Sequence, residues 1–129
     1  MQSFETLGLS SEILESVKKL GFETPTPVQA KAIPVLLQGA QDVVALAQTG
    51  TGKTAAFGLP LIELIDESDN TTRALVLAPT RELCMQITND FENFSKSVKR
   101  LNIVAVYGGA SITDQIKKKK VQINFIGIC

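Results

Sequence analysis

A lysine that follows two closely spaced glycines and precedes a threonine is a set of residue types able to hold a phosphate. The run Ala47-Gln48-Thr49-Gly50-Thr51-Gly52-Lys53-Thr54 has this set, with Ala47 where the phosphate-loop pattern usually places its first glycine. Gly50 and Gly52 let backbone N–H groups curl around phosphate oxygens. A helix that begins here adds its unpaired N–H groups and a favourable dipole. Lys53 offers positive charge to the β- and γ-phosphates, and the Thr54 hydroxyl suits a Mg²⁺ ligand. A glycine-rich strand-to-helix turn with a surface lysine is the plainer alternative. The flanking segments favour phosphate, because a loop of this kind needs a strand before it and a helix after it.

Those flanking elements follow a repeating pattern. Ser10 or Ser11 can cap a short helix with apolar positions Ile13, Leu14, Val17 and Leu20. A turn segment, Gly21 to Pro25, leads to a second helix that starts at Thr26-Pro27-Val28-Gln29, with proline at its first position and Gln29 where a capping box takes Gln or Glu. Gly39 ends it. Asp42 to Ala47 reads as a continuous apolar strand, buried on both faces of a parallel sheet. A helix then runs from Lys53 through about Glu67. Arg73 to Ala78 reads as a second buried strand, Thr80 caps a helix with apolar Leu83, Ile87, Phe91 and Phe94, and Leu101 to Tyr107 is a third strand. Gly108-Gly109 makes a tight turn, a short polar helix follows, and a fourth strand starts near Val121. Strand–helix alternation predicts an α/β fold with a parallel sheet and right-handed crossovers.

Bulk properties set the outer bounds. At 129 residues, 44% hydrophobic and 20% charged, the chain has the length of one domain and the composition of a soluble protein. Its longest apolar stretches fall short of a membrane span, and Met1-Gln2-Ser3-Phe4-Glu5 has no secretory-signal character. Cys84 and Cys129 lack metal-type spacing, which fits a reducing cytoplasm. The absence of histidine excludes imidazole as base, ligand or pH switch. Net charge is zero but unevenly spread: residues 1–94 hold 6 basic and 12 acidic side chains, residues 95–129 hold 7 and one. Such asymmetry marks either a nucleic-acid face or a solvated lysine-rich surface.

A phosphate loop alone does not separate helicases from kinases, GTPases or transporters. Three further segments do. Gly21-Phe22-Glu23-Thr24-Pro25-Thr26-Pro27-Val28-Gln29, with Phe4 at the upstream aromatic position, resembles the Q motif of DEAD-box RNA helicases, which here spans 4–29. Pro79-Thr80-Arg81-Glu82-Leu83, followed by Gln86, resembles their motif Ia, and Gly108-Gly109 resembles their double-glycine motif. The run from Ala47 to Thr54 is also that family's form of the phosphate loop. The resemblance covers residues 4 to about 115.

The resemblance implies a RecA-like, parallel-sheet P-loop NTPase domain and an ATP-dependent RNA helicase with ATP and Mg²⁺ as cofactors. It implies that Gln29 reads adenine, since an amide can donate and accept at once toward N6 and N7. It implies that Phe4 stacks on the base, although core packing of Phe4 is equally natural. Pro79, Thr80, Arg81, Gly108 and Gly109 then hold RNA backbone at a helix N-terminus, without sequence preference. The family's first domain continues with a T-P-G-R segment, the D-E-A-D carboxylates and an S-A-T motif, and a second domain carries the arginine finger. None of these occurs in the 129 residues. Val121-Gln122-Ile123 resembles the strand before T-P-G-R, but Asn124 to Cys129 does not lead into it. The expectation is therefore an incomplete first domain, residues 1–129, that binds nucleotide and RNA without turning over by itself. Its sheet edge, bare of the carboxylate strand, invites self-association. A nucleotide- and RNA-binding module without turnover is the alternative. A phosphate-loop GTPase lacks support, because no guanine-reading N-K-x-D segment is present.

Overall fold

The computed structural model describes residues 2–39, 41–65, 68, 71–98, 101–119 and 125–128. Where length alone suggests one domain, contacts fall into two compact units. Met1–Leu64 with Asn93–Val98 form the first, and Ile65–Glu92 with Lys99–Cys129 form the second.

The first unit is helical. A short 3₁₀ turn, Phe4–Leu7, ends on Gly8 in the left-handed region. Helix α1, Ser11–Lys19, starts where its cap predicts: the Ser10 side chain accepts from Ile13 N, and Ser10 N donates to Glu63 Oε2 at 2.8 Å. Helix α2, Pro27–Leu37, has Thr26 as N-cap, Pro27 at its first position and a complete capping box with Gln29. Helix α3, Lys53–Glu63, packs against α2, and stops short of the stretch to Glu67 expected from sequence. Residues 66 and 67 lie outside the described ones. Ile13, Val17, Ile33, Leu59 and Ile62 form the core of this unit. The rings of Phe4, Phe22 and Phe94 follow one another at 6.3 and 6.4 Å, a ladder of offset aromatic contacts.

Residues 42–47 depart from expectation. They form no strand, and Val44 and Leu46 are 90% and 94% exposed. An apolar run becomes a buried parallel strand only when neighbouring strands complete its hydrogen bonds and other elements cover its faces. Among the described residues it has no such ladder.

The second unit holds the sheet. Strands β1, Ala74–Leu77, and β2, Ile103–Val106, flank β3, Phe125–Ile128, and both pairings are parallel. Phe125 lies level with Ala74 on one side and Ile103 on the other. The last strand in sequence is thus the central one, and residues 121–124, where it was expected to start, lie outside the described residues. β1 was expected to be buried. It is instead an edge among the described strands, with Leu75 and Leu77 exposed. Helix α4, Arg81–Phe94, is capped by the Thr80 hydroxyl, which accepts from Leu83 N at 3.2 Å. It buries Cys84, Ile87 and Phe91 at helical spacing. Helix α5, Ile112–Lys119, begins after Ser111, whose hydroxyl accepts from Asp114 N.

A candidate nucleotide site and a candidate RNA-backbone surface

In the first unit, the phosphate loop enters α3 through two glycines in the left-handed region, Gly50 at φ 76° and Gly52 at φ 77°. Only glycine adopts that conformation without strain. Gly52 has a second reason to be glycine, because a Cβ there would collide with Gln29 Nε2. Lys53 Nζ donates to Ala47 O at 2.5 Å and to Gln48 O at 2.9 Å, and Thr51 Oγ1 donates to Gln48 O at 2.7 Å. The ammonium thus sits inside the curl of the loop, held by carbonyls from the loop's own start. Thr54, half-buried, stands in the first turn of α3.

Gln29 is 4% exposed, and both ends of its amide are engaged. Oε1 accepts from Thr26 N at 2.9 Å, and Nε2 donates to Gly52 O at 3.2 Å. Thr26 Oγ1 in turn donates to Thr51 O at 2.8 Å. The capping box of α2 is therefore also a strap onto the phosphate loop. Sequence reading placed Gln29 in the capping box or at adenine, and missed both ties to the loop, from Gln29 to Gly52 and from Thr26 to Thr51. The only signal for Thr26 was its position as cap.

Phe4 is buried and stacks on Phe22 at an interplanar angle of 22°. The structure thus displays its packing role. A cleft of about 310 Å³ runs beside both rings, lined also by Leu14, Val17 and Gly21.

In the second unit, Pro79, Thr80 and Arg81 lie exposed at the start of α4, and Gly108 and Gly109 lie exposed in the turn after β2. The two motifs, nearly thirty residues apart in sequence, meet at Arg81. Its guanidinium carbon lies 4.8 Å over the centre of the Tyr107 ring, a cation–π contact. A Cβ on Gly109, at φ 84°, would come within 3.2 Å of Arg81 Nη1. Tyr107 was not picked out from sequence, although an aromatic directly before a glycine pair is a visible signal. A cleft of about 540 Å³ opens nearby, lined by Met85, Thr88, Val104, Tyr107 and Gln115 among others.

Among the described residues, two carboxyls leave their ordinary range. A hydrogen bond to its own backbone, with further bonds to Ser3 and Lys18, holds Glu5 low, and burial pushes Asp90 up. Among the described residues no group of three His, Cys, Asp or Glu gathers to hold a metal, and no helix is long and apolar enough to cross a membrane.

A phosphate loop strapped to a glutamine-bearing helix in one unit, and a parallel sheet with helices in the other, are the parts of a RecA-like helicase domain. Residues 26–127 match the DEAD/DEAH box helicase family, and the chain belongs to it. It is 48% identical over 125 residues to the ATP-dependent RNA helicase CshA of Listeria monocytogenes, covering 95% of this chain and 24% of that protein. The chain thus spans about a quarter of the length of the curated relatives it matches. A DEAD box protein of Methanococcus jannaschii superposes with a TM-score of 0.91 at 42% identity, over 99% of this chain and 35% of that one. A Saccharomyces cerevisiae Dbp5 variant, bound to RNA and ADP BeF3, superposes at 0.88 with 31% identity, over 99% of this chain and 32% of that one.

Proposed function

We propose that this chain is the N-terminal part of the ATP-binding domain of an RNA-stimulated ATPase that unwinds or remodels RNA. It binds adenine nucleotide through the phosphate loop and Gln29, and RNA backbone through the start of α4 and the double glycine. The observation that carries the reading is the Gln29 Nε2 bond to Gly52 O, which joins an adenine-competent amide to the phosphate loop within one unit. The nucleotide-bound and RNA-bound state of the Dbp5 relative supports it.

The residues present fit a nucleotide. Residues 48–54 supply N–H groups and the Lys53 charge to phosphates, and binding exchanges the bonds from Lys53 to Ala47 O and Gln48 O for phosphate oxygens. Gln29 meets the adenine edge only by giving up the strap to Gly52, so base recognition and loop opening are linked. Phe4 contributes a ring face at the base side if the ladder to Phe22 opens. The Thr54 hydroxyl would supply one oxygen ligand to Mg²⁺, whose charge would offset that of the phosphates. The cytoplasm is the proposed setting, in keeping with two cysteines, Cys84 and Cys129, that stand far apart in sequence without metal-type spacing.

Calorimetric titration with ADP and GDP tests the site. Gln29→Ala reduces the preference for ADP, whereas Lys53→Ala weakens both nucleotides together, by about tenfold or more for a lost charge-assisted contact. Unchanged base selectivity in Gln29→Ala would leave that amide with its capping and strapping roles only.

The alternative, a binding module without turnover, is favoured for the 129-residue chain by one observation. These 129 residues hold no D-E-A-D carboxylate run, and an arginine finger, which the family carries on a second domain, is worth ~10³–10⁵ in rate. Phosphate release by the chain alone should stay at background, with or without RNA, on protein shown to bind a fluorescent ADP analogue. RNA-stimulated release abolished by Lys53→Ala would overturn this and require the missing groups to come from a partner chain.

A further inference from the structure

The turn that carries the double glycine is held by a side chain with no role so far. Gln115 lies one turn into α5, and its amide faces back onto the backbone that leaves β2. Oε1 accepts from Tyr107 N at 3.1 Å. Nε2 donates to Tyr107 O at 3.0 Å and to Ala110 O at 3.4 Å. Both backbone groups of Tyr107 are thus engaged by one planar amide, which accepts on one atom and donates from the other. The arrangement imitates the exchange of two bonds with a neighbouring strand, one residue beyond the end of β2. The third bond, to Ala110 O, closes the far side of the Gly108-Gly109 turn.

What this turn positions is Arg81. Its guanidinium rests over the Tyr107 ring, and the bare backbone of Gly109 leaves it room beside Nη1. We infer that Gln115 is a positioning residue for RNA binding. It clamps the turn of residues 107–110 so that the Tyr107 ring and the Gly109 backbone hold Arg81 at the start of α4, in a single seat for an RNA phosphate. The inference rests on the RNA-backbone reading above and adds the residue that sets its geometry.

The test uses fluorescence anisotropy with a labelled single-stranded oligouridylate at about 50 mM salt, and a fluorescent ADP analogue in parallel. The chains compared are the wild type, Arg81→Ala, Gln115→Ala and the double variant. Gln115→Met accompanies them, because it keeps length and helix propensity while removing all three bonds. Each single change is expected to weaken RNA binding roughly five- to tenfold, the scale of one lost hydrogen-bonded support. The double variant should bind no more weakly than the worse single variant, because residues serving one seat are not additive. ADP affinity should stay unchanged, which a general loss of folding would not allow. RNA affinity unchanged in both Gln115 variants while Arg81→Ala weakens it overturns the clamp and leaves the RNA surface standing. Losses that multiply in the double variant also overturn it. An Arg81→Ala chain that binds RNA like wild type removes the RNA-backbone reading itself, and the seat with it.

Discussion

Gly52 serves conformation, packing and hydrogen bonding with a single residue type. Its left-handed φ lets the loop enter α3, its missing side chain admits the Gln29 amide, and its carbonyl accepts from that amide. Any side chain there would strain the backbone by ~1–2 kcal/mol before the collision is counted. Away from the site, Asp90 on α4 is the residue whose charge works against the fold. Burial raises its carboxyl pKa, so the folded state binds its proton more readily than the unfolded chain does. Stability then falls as pH rises from the ordinary aspartate pKa through the raised one, and is flat above it. Asp90→Asn should therefore raise the thermal midpoint at pH 7, modestly, on the about 0.5 kcal/mol scale of partly exposed positions. The gain should vanish in acid below the ordinary aspartate pKa. A variant that melts lower at pH 7 would show that the carboxylate has a favourable partner.

Among the described residues, four of the five helices start on a hydroxyl cap that can be read residue by residue: Ser10, Thr26, Thr80 and Ser111. Such caps contribute ~0.5–2 kcal/mol each, and here two of them, Thr26 and Thr80, stand in the candidate sites. At α4 the cap leaves the remaining first-turn N–H groups beside Arg81, facing solvent where a phosphate can reach them. A surface of this kind reads backbone and carries a salt signature. Each neutralised phosphate contributes about −0.7 to the slope of log affinity against log salt for a single strand. Two unrelated oligonucleotides should therefore bind this chain with equal affinity and equal slope, and Arg81→Ala should make the slope shallower by about that one increment. A marked preference for one sequence, measured by anisotropy across several salt concentrations, would refute a backbone-only surface.

At the scale of the whole molecule, apolar residues stand exposed among the described ones. In the second unit β1 is an edge among the described strands, with Leu75 and Leu77 exposed. In the first unit Val44 and Leu46 stand almost fully in water. Edge strands of this apolar character pair with other chains unless charge, proline or a covering element prevents it. The 129-residue chain is expected to self-associate, with light scattering after size exclusion reporting a mass above the monomer at micromolar concentration. Val44→Lys and Leu77→Lys should each shift it toward monomer. A stable monomer without these changes would mean that the exposed leucines and valines are covered by the chain itself.

The helix starts, the phosphate loop, the double-glycine turn and the family were legible in the residues because each is written in a short stretch. A helix satisfies its backbone within four residues, and a cap or a phosphate cradle needs only a few neighbours of the right type. Strand status was legible only in part. Residues 42–47 have the composition of a buried strand and do not form one, while residues 125–128 supply the centre of the sheet. A strand's hydrogen bonds lie with chain segments distant in sequence, so composition alone does not decide whether partners are there. The same distance hid the bond from Gln29 to Gly52 and the stacking of Arg81 on Tyr107. Sequence named the residues proposed to touch nucleotide and RNA. Tertiary structure decided which of them touch one another, because those contacts exist only once remote segments have been packed together.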